Sequence, residues 1–150
     1  MAPETPEVRD AIKRIMATGT HVIPMVSDLP NTGRGHFAGI NNVGAGRTAG
    51  QLMGRFLGNK PATILVVAGS MVSTDHAERR AGFDETMRQS FPQHNLLPTL
   101  ETFDIAENVK QRVGEALEQN PEIAGIYAIG AGNRGLVSTC LLYTSDAADE

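Results

Sequence analysis

The sequence predicts an α/β protein in which helices flank a parallel sheet, and two observations carry this prediction. The first is an unbroken apolar run at residues 64–68, which ends at Gly69 and Ser70. Such a run is typical of a strand that is covered on both faces, as the strands of parallel sheets are. The second is that predicted strands alternate with predicted helices along most of the chain, which favours parallel strands joined by helical crossovers.

The first third of the sequence contains two predicted helices and two short predicted strands. Residues 6–16 place apolar side chains on one helical face, and Gly19 ends that pattern. Residues 21–26 and 37–40 are short apolar segments that a polar, glycine-rich loop separates. The second helix is predicted from apolar residues at i, i+3, i+4, i+7 and i+8, namely Ala49, Leu52, Met53, Phe56 and Leu57.

Residues 62–91 are predicted to form a strand, a polar loop and a helix that carries Arg79 at its start. In an open α/β sheet, loops of this kind line the crevice in which ligands bind. Arg79 is therefore predicted to lie at a ligand site, because its planar fork of donors suits carboxylates or paired hydroxyls. The alternative is that Arg79 belongs to a solvated helix face.

The remaining sequence predicts two more strands with a helix between them. Residues 96–103 form the first, in which Pro98 favours an edge position or a bulge. Asp104 and Glu107 resemble a capping box at the start of the helix. Residues 123–129 form the last predicted strand.

Composition excludes several classes of function. The 150 residues carry a net charge of −4 with no basic bias, so nothing indicates nucleic-acid binding by this segment. No apolar run approaches the roughly 20 residues of a membrane span. The first ten residues have neither a basic nor an apolar region typical of a signal peptide. The single cysteine, Cys140, excludes an internal disulfide.

A glycine motif at residues 130–135 matches G-x-G-x-x-G directly after a predicted strand. One interpretation is a dinucleotide site, in which the glycines bring the backbone close to a pyrophosphate. That fingerprint also needs an acidic residue roughly 20 positions further on. A glycine-rich loop at a ligand cleft is the favoured interpretation, and an NAD-dependent oxidoreductase stays an alternative.

No catalytic constellation is evident in the sequence. Ser70, Asp75 and His76 suggest a hydrolase, but the glycines of the G-x-S-x-G elbow are replaced by Ala68 and Val72. The four histidines are scattered and lack metal-ligand spacing. The chain is therefore predicted to bind a ligand without turnover, and no cofactor or metal is expected.

Two further residues stand at strand ends, where ligands would bind. Asp28 follows the segment at residues 21–26 and could accept hydrogen bonds from ligand hydroxyls, or it could stabilise a turn. Phe103 ends a predicted strand and could cover the apolar face of a sugar, or it could pack in the core.

Together these segments resemble the ligand-binding domain of LacI/GalR-family transcriptional regulators, which has the type I periplasmic-binding-protein fold. The resemblance spans about residues 2–139 and implies two lobes, each a parallel sheet flanked by helices and each incomplete in this sequence. It rests on five segments in the order typical of the family: HVIPMVSDLP, FAGINNVGAGRTAGQLMGRFLG, ATILVVAGS, Arg79-x-x-Gly82-Phe83 and NPEIAGIYAIGAGNRGL.

The resemblance implies a set of ligand-binding residues, carried over by position. They are Asp28, Asn41, Arg79, Phe103, Gly130 and Asn133. Asn41 and Asn42 stand where the family has Asp-Asn, so this chain lacks one carboxylate there. Gly130 and Ala131 stand where many members have Asn-Asp, with Asn133 nearby. These departures leave the class of ligand open.

The function that the resemblance implies is the sensing of a small-molecule effector, most simply a sugar, by a cytoplasmic transcription factor. The intact protein would be a homodimer that binds DNA through an upstream helix-turn-helix, which this sequence does not contain. No membrane partner is expected. A periplasmic sugar-binding protein of an ABC importer shares the fold and is the first alternative; a purely structural or interaction domain is another.

The resemblance also predicts how the chain is divided. Residues 1–58 would belong to the N-terminal lobe, residues 59–61 to a crossover linker and residues 62–139 to the C-terminal lobe. Residues 140–150 are interpreted as an artefactual tail, and the sequence as a fragment. Expressed alone, such a chain is expected to be marginally stable or insoluble and not to bind the effector.

Overall fold

The computed structural model describes residues 5–33 and 35–146, and for residues 142–146 it describes the backbone alone. A short 3-10 helix spans Pro30–Thr32. The helices are α1 (Pro6–Ala17), α2 (Asn42–Leu57), α3 (Thr74–Ser90), α4 (Ala106–Gln119) and α5 (Asn133–Asp146). The strands are β1 (Thr63–Ala68), β2 (Asn95–Leu96), β3 (Leu100–Glu101) and β4 (Ile123–Ala128). None of the helices within the described ranges is long and apolar enough to cross a membrane.

Strand β1 is the centre of a parallel sheet, and every one of its residues is buried. β4 pairs with it in parallel over almost its whole length, while β2 and β3 pair with its two ends. Because β4 occupies one edge of β1, β2 and β3 share the other edge. Helix α3 packs Phe83 and Met87 on one face, and α4 packs Val109 and Val113 on the other. The predicted parallel α/β sheet is thus confirmed.

The strand predicted at residues 96–103 is divided in two. Asn95 pairs with Thr63, whereas Leu100 pairs with Val67, so the outer chain advances five residues while β1 advances four. The extra residue falls in the segment that contains Pro98, which has no N–H to donate. This irregularity at the edge of the sheet is the kind of feature that the proline predicts.

Helices α2 and α3 approach each other closely because glycines stand at their contact. A Cβ atom at Gly46 would collide with the carbonyl oxygen of Arg79, and a Cβ atom at Gly82 would collide with the carbonyl oxygen of Val43. One turn beyond Gly46, a Cβ atom at Gly50 would press on the side chain of Thr86. The glycines therefore fix how near the two helix axes come.

This packing places α2 in the same unit as β1 and α3. Met53 and Leu57 contact the core that β1 and α3 form, and both lie beside Gly125 of β4. The predicted division at residues 59–61 assigns α2 to a different lobe from β1, whereas α2 packs on the core that contains β1; the division into lobes stays a prediction. The apolar periodicity of α2 indicated that it covers a sheet, but periodicity does not specify which sheet.

The strands predicted at residues 21–26 and 37–40 do not form as such. One isolated parallel bridge joins Met25 to Ala38. A strand is stabilised by a ladder of hydrogen bonds and by burial, but Met25 is 72% exposed. Val26, at φ +68°, then takes the chain out of the extended conformation. The short apolar sequence indicated strand propensity without the neighbours that a sheet requires.

The starts of two helices also differ from the predictions. Helix α3 begins at Thr74, so Arg79 lies in its second turn rather than at its start. The N-cap of α4 is Ile105, which makes no side-chain capping bond, so the capping box of Asp104 and Glu107 is wrong. Helix α5, at Asn133–Asp146, includes the first residues of the predicted tail, and the artefactual origin of that tail stays a prediction.

Candidate functional site

The candidate site lies where the strands of the sheet end at their carboxyl termini. The chain leaves β1 at Gly69, β3 at Thr102 and β4 at Ile129, and these exits are adjacent. The Phe103 amide donates to the Gly69 carbonyl at 2.8 Å, and the Ile129 amide donates to the Val67 carbonyl at 2.8 Å. Loops at this edge of a parallel α/β sheet are the usual place for a ligand.

Arg79 reaches this edge from α3 and is held there by two hydrogen bonds. Its Nε donates to Asn42 Oδ1 at 3.0 Å, and its Nη1 donates to the Ile129 carbonyl at 3.3 Å. Asn42 is buried, and its Nδ2 donates to Glu78 Oε2 at 3.3 Å. Since a guanidinium has five N–H groups, these two bonds leave donors for a ligand.

Asn41 and Asn42 have different roles in the structure. Asn41 is exposed and caps α2, with its Oδ1 accepting from the Gly44 amide at 2.8 Å. The side chain that contacts Arg79 is instead that of Asn42. Asn41 thus caps α2 and its neighbour Asn42 contacts Arg79, while a ligand contact by Asn41 stays a prediction.

Phe103 and Asp104 form a sharp corner between β3 and α4. Both residues are in the left-handed region, at φ +55° and +60°. Phe103 is 63% exposed, so the core-packing alternative does not describe it. The carboxylate Oδ1 of Asp104 accepts from the Ala131 amide at 2.6 Å. An exposed aromatic ring and a carboxylate therefore stand next to each other at the strand ends.

The loop after β4 joins these groups. Arg79 bonds the carbonyl of Ile129, and Asp104 bonds the amide of Ala131, two residues further on. Gly130, between them, has no room for a side chain because a Cβ atom there would meet the Asp104 carboxylate. The structure thus brings together Arg79, Phe103 and Gly130 of the predicted set.

The other glycines of the G-x-G-x-x-G motif have structural explanations. Gly132 has φ +89°, which favours glycine, and a Cβ atom at Gly135 would collide with the Ala106 carbonyl of α4. The motif therefore permits a turn and a close contact between α4 and α5. Asn133 is the exposed first residue of α5.

The family of the chain follows from its sequence. Residues 1–140 match the family model described as the periplasmic binding protein domain. The chain belongs to this family. Its α/β architecture is accordingly that of the type I periplasmic-binding-protein fold, as the sequence predicted.

Solved structures of solute-binding proteins are similar to this periplasmic binding protein domain. One is a solute-binding protein of an ABC transporter from Burkholderia graminis, in complex with D-arabinose, with a TM-score of 0.85 and 26% identity over 91% of this chain. Another is an arabinose-binding protein from Geobacillus stearothermophilus, with a TM-score of 0.74 and 27% identity over 91% of this chain. A glucose-galactose-binding protein from the same organism has a TM-score of 0.86 over 95% of this chain, at 20% identity.

The chain spans about half the length of these structures: 47%, 47% and 50% respectively. No curated protein is significantly similar to it in sequence. The solved relatives named here are transport or sugar-binding proteins, and a LacI/GalR identity stays a prediction.

Asp28 has a local contact in the periplasmic binding protein domain. Its Oδ1 accepts from the Leu29 amide at 2.7 Å, at the turn into the short helix Pro30–Thr32. The turn-stabilising alternative describes this bond, and a ligand contact by Asp28 stays a prediction.

Ser70, Asp75 and His76 lie together after β1, yet not as a nucleophile and its base. The His76 Nδ1 is 3.2 Å from the backbone nitrogen and 3.1 Å from the backbone oxygen of Ser70. The Ser70 hydroxyl instead accepts from the Val72 amide at 3.3 Å. Asp75 and His76 are both buried, and their side chains are 3.7 Å apart. This cluster anchors the loop that follows β1.

The pKa of Tyr127, a neighbour of the site, is affected both by burial and by the charge of Arg79. It lies on β4 and stacks on Phe83, with ring centroids 4.6 Å apart. Burial raises the pKa of the Tyr127 phenol, and the positive charge of Arg79 opposes this rise. Arg79 therefore acts on groups of β4 beyond its hydrogen bonds.

The sequence did not predict that two residues, Asn42 and Asp104, belong to the site. Asn42 was not distinguished from Asn41, although its side chain contacts Arg79 and Glu78 of α3 whereas that of Asn41 caps α2. Asp104 was interpreted as a helix cap, since an Asp before a helix usually has that role. Within residues 5–33 and 35–146, no group of three or more His, Cys, Asp or Glu side chains is arranged to hold a metal ion.

Proposed function

We propose that this periplasmic binding protein domain binds a sugar at the carboxyl ends of β1 and β4, as part of a solute-binding protein of an ABC importer. The observation that carries the proposal is the loop after β4, residues 129–132. Arg79 bonds the Ile129 carbonyl at its start, Asp104 bonds the Ala131 amide, and the exposed side chain of Phe103 stands beside it.

The chemistry of these groups suits a polyhydroxylated ligand. Guanidinium N–H groups donate to hydroxyl oxygens, so the donors of Arg79 that are not used within the protein can bind the hydroxyl groups of a sugar. An aromatic ring such as Phe103 can cover the apolar C–H face of the same sugar. Binding sites commonly combine apolar surface with a few polar groups that orient the ligand.

The similarity to sugar-binding proteins supports the same class of ligand. The relative from Burkholderia graminis was solved with D-arabinose, and its identity to this chain is 26%. A sugar-binding protein of an ABC transporter from Bacillus halodurans is also 26% identical, over 93% of this chain. These relatives favour transport over regulation as the function of the intact protein.

A regulator that senses a sugar remains the second candidate, because the observed site would serve both functions. It is supported by the sequence resemblance across residues 2–139. A solute-binding protein requires export, whereas a LacI/GalR regulator is cytoplasmic. The sequence upstream of the domain distinguishes them, since one requires a signal peptide and the other a helix-turn-helix.

The dinucleotide alternative has less support. The Asp104 carboxylate occupies the position beside Gly130 at which a pyrophosphate would approach, and like charges repel. Gly135 is occupied in packing against α4. The loop is therefore better suited to hydroxyl groups than to a dianionic group.

The test is titration calorimetry of the full-length protein that contains this chain. The panel consists of D-arabinose, D-glucose, D-galactose, D-fructose and D-fucose, with NAD and ATP as opposing ligands. We expect at least one sugar to bind with a Kd in the micromolar range or below. Binding of NAD or ATP at such affinity without any sugar binding would contradict the proposal.

A further inference from the structure

We propose that Asp104 is a positioning residue of the sugar site: its carboxylate holds the loop after β4 and thereby fixes the direction of the Phe103 ring. This inference rests on the proposed function. It differs from the helix-capping role that the sequence suggests, because the N-cap of α4 is Ile105 and makes no side-chain bond.

The first step concerns the backbone of the corner. Phe103 and Asp104 are consecutive non-glycine residues at φ +55° and +60°. Positive φ is uncommon for residues with a side chain, and for a bulky residue such as Phe it is unfavourable. A corner of this kind persists only where surrounding contacts hold it.

The second step identifies those contacts. On one side, the amides of Thr102 and Phe103 donate to the carbonyls of Ala68 and Gly69, each at 2.8 Å. On the other side, the Asp104 carboxylate accepts from the Ala131 amide at 2.6 Å. Two backbone bonds thus tie the corner to the end of β1, and one side-chain bond ties it to the end of β4.

The third step concerns space. Cβ atoms built at Gly69 and at Gly130 would both meet the Asp104 carboxylate. The carboxylate therefore lies over two neighbouring strand exits, and glycine at both positions leaves room for it. Gly130 and Ala131, where the sequence departs from Asn-Asp, are the residues that accommodate and bond this carboxylate.

The consequence concerns Phe103. Phe103 is 63% exposed, so packing in the core does not hold its ring. The backbone conformation at Phe103 and Asp104 instead sets the Cα–Cβ bond from which the ring projects. Asp104 acts on the sugar through the aromatic ring and through the loop that also contacts Arg79.

The experiment compares D104A with D104N in the full-length protein, using the sugar of the panel that binds most tightly. Asn keeps an oxygen that accepts from the Ala131 amide and tolerates the left-handed conformation, so we expect D104N to bind within about threefold of wild type. Alanine removes the acceptor, so we expect D104A to bind about tenfold more weakly. E118A, at an exposed position of α4, is the control and should leave affinity unchanged.

The sugar affinity of a double variant distinguishes a positioning role of Asp104 from general destabilisation of the protein. If Asp104 acts through the ring, the double variant F103A/D104A should bind little more weakly than F103A alone, because the two effects are not additive. In the sugar-free protein, the Ala131 amide should exchange with solvent faster in D104A than in D104N.

The outcomes distinguish the two proposals. A wild-type protein that binds no sugar overturns the proposed function, and the positioning role with it. Normal sugar binding by wild type and D104A alike overturns the positioning role alone. Full additivity of F103A and D104A, or equal Ala131 exchange in D104A and D104N, also overturns it.

Discussion

At the scale of the residue, the site depends on the direction of one guanidinium group. Arg79 is fixed by a buried amide, that of Asn42, and by the carbonyl that ends β4. Two different nitrogens of the group donate, Nε and Nη1, so the bonds orient the plane of the guanidinium as well as its charge. A positive charge alone would not reproduce this geometry.

R79K is therefore expected to weaken sugar binding by about tenfold or more, because a lysine ammonium cannot bond Asn42 and Ile129 with the same geometry. R55K is the matched control, since Arg55 is exposed on α2. Titration calorimetry of the full-length protein measures both. Equal affinities for wild type and R79K would show that Arg79 is not part of the site.

Tyr127 gives a prediction about alkaline pH. Burial raises the pKa of its phenol from the usual value of 10.0, so the folded state retains the proton at pH values where the unfolded state loses it. This contribution to the free energy of unfolding is present below about pH 10 and is lost as pH rises through the folded-state pKa.

Y127F removes the titrating group, so its melting temperature should fall less than that of wild type between pH 9 and about pH 11. Tyr143, the second tyrosine, is present in both proteins and cancels in the comparison. If the melting temperatures of wild type and Y127F fall equally over this pH range, the loss of stability does not come from the ionisation of Tyr127.

At the scale of the element, the glycines between α2 and α3 determine the shape of the unit. G82A places a methyl group against the Val43 carbonyl, and G46A places one against that of Arg79. Because these obstacles are backbone atoms, the helices must move apart, and each variant should lose about 1–3 kcal/mol of unfolding free energy.

G114A is the matched control on α4. Its new methyl group would have Thr139 Cγ2 as its nearest neighbour, at 3.9 Å, which is ordinary contact. Alanine also has the higher helix propensity, so this variant should gain up to about 1 kcal/mol. Urea unfolding of the three variants measures the differences, and a loss in G114A similar to that in G82A would contradict this account.

The elements also show what the sequence could predict. The buried apolar run made β1 predictable, and helical periodicity made α1 and α2 predictable, because these patterns reflect local burial. The site corner was not predictable in the same way. Asp104 precedes a helix, and only the tertiary structure shows that its carboxylate bonds Ala131, 27 residues away.

At the scale of the whole molecule, the chain has one well-packed unit and a segment with fewer contacts. Residues 63–68 are buried throughout, whereas Ile23, Met25 and Val26 are each more than half exposed. Local opening requires less free energy where few apolar contacts are lost. The family resemblance predicted the fold as a whole, but the packing of α2 depended on glycine contacts between residues far apart in sequence.

Hydrogen exchange should reveal this contrast. The amides of β1 should exchange at least about a hundredfold more slowly than those of residues 21–26, because β1 opens only when the sheet unfolds. Mass spectrometry of exchanged peptides measures both segments in one sample. Equal protection would show that residues 21–26 belong to a stable sheet.

The central claim is that a sugar binds at the carboxyl ends of β1 and β4, and backbone NMR of the ¹⁵N-labelled full-length protein tests it most directly. On titration with each sugar of the panel, we expect saturable shifts centred on the amides of Gly69, Arg79, Phe103, Asp104 and Ala131. Shifts confined to another part of the molecule, or no saturable shift with any of the sugars, would contradict the claim.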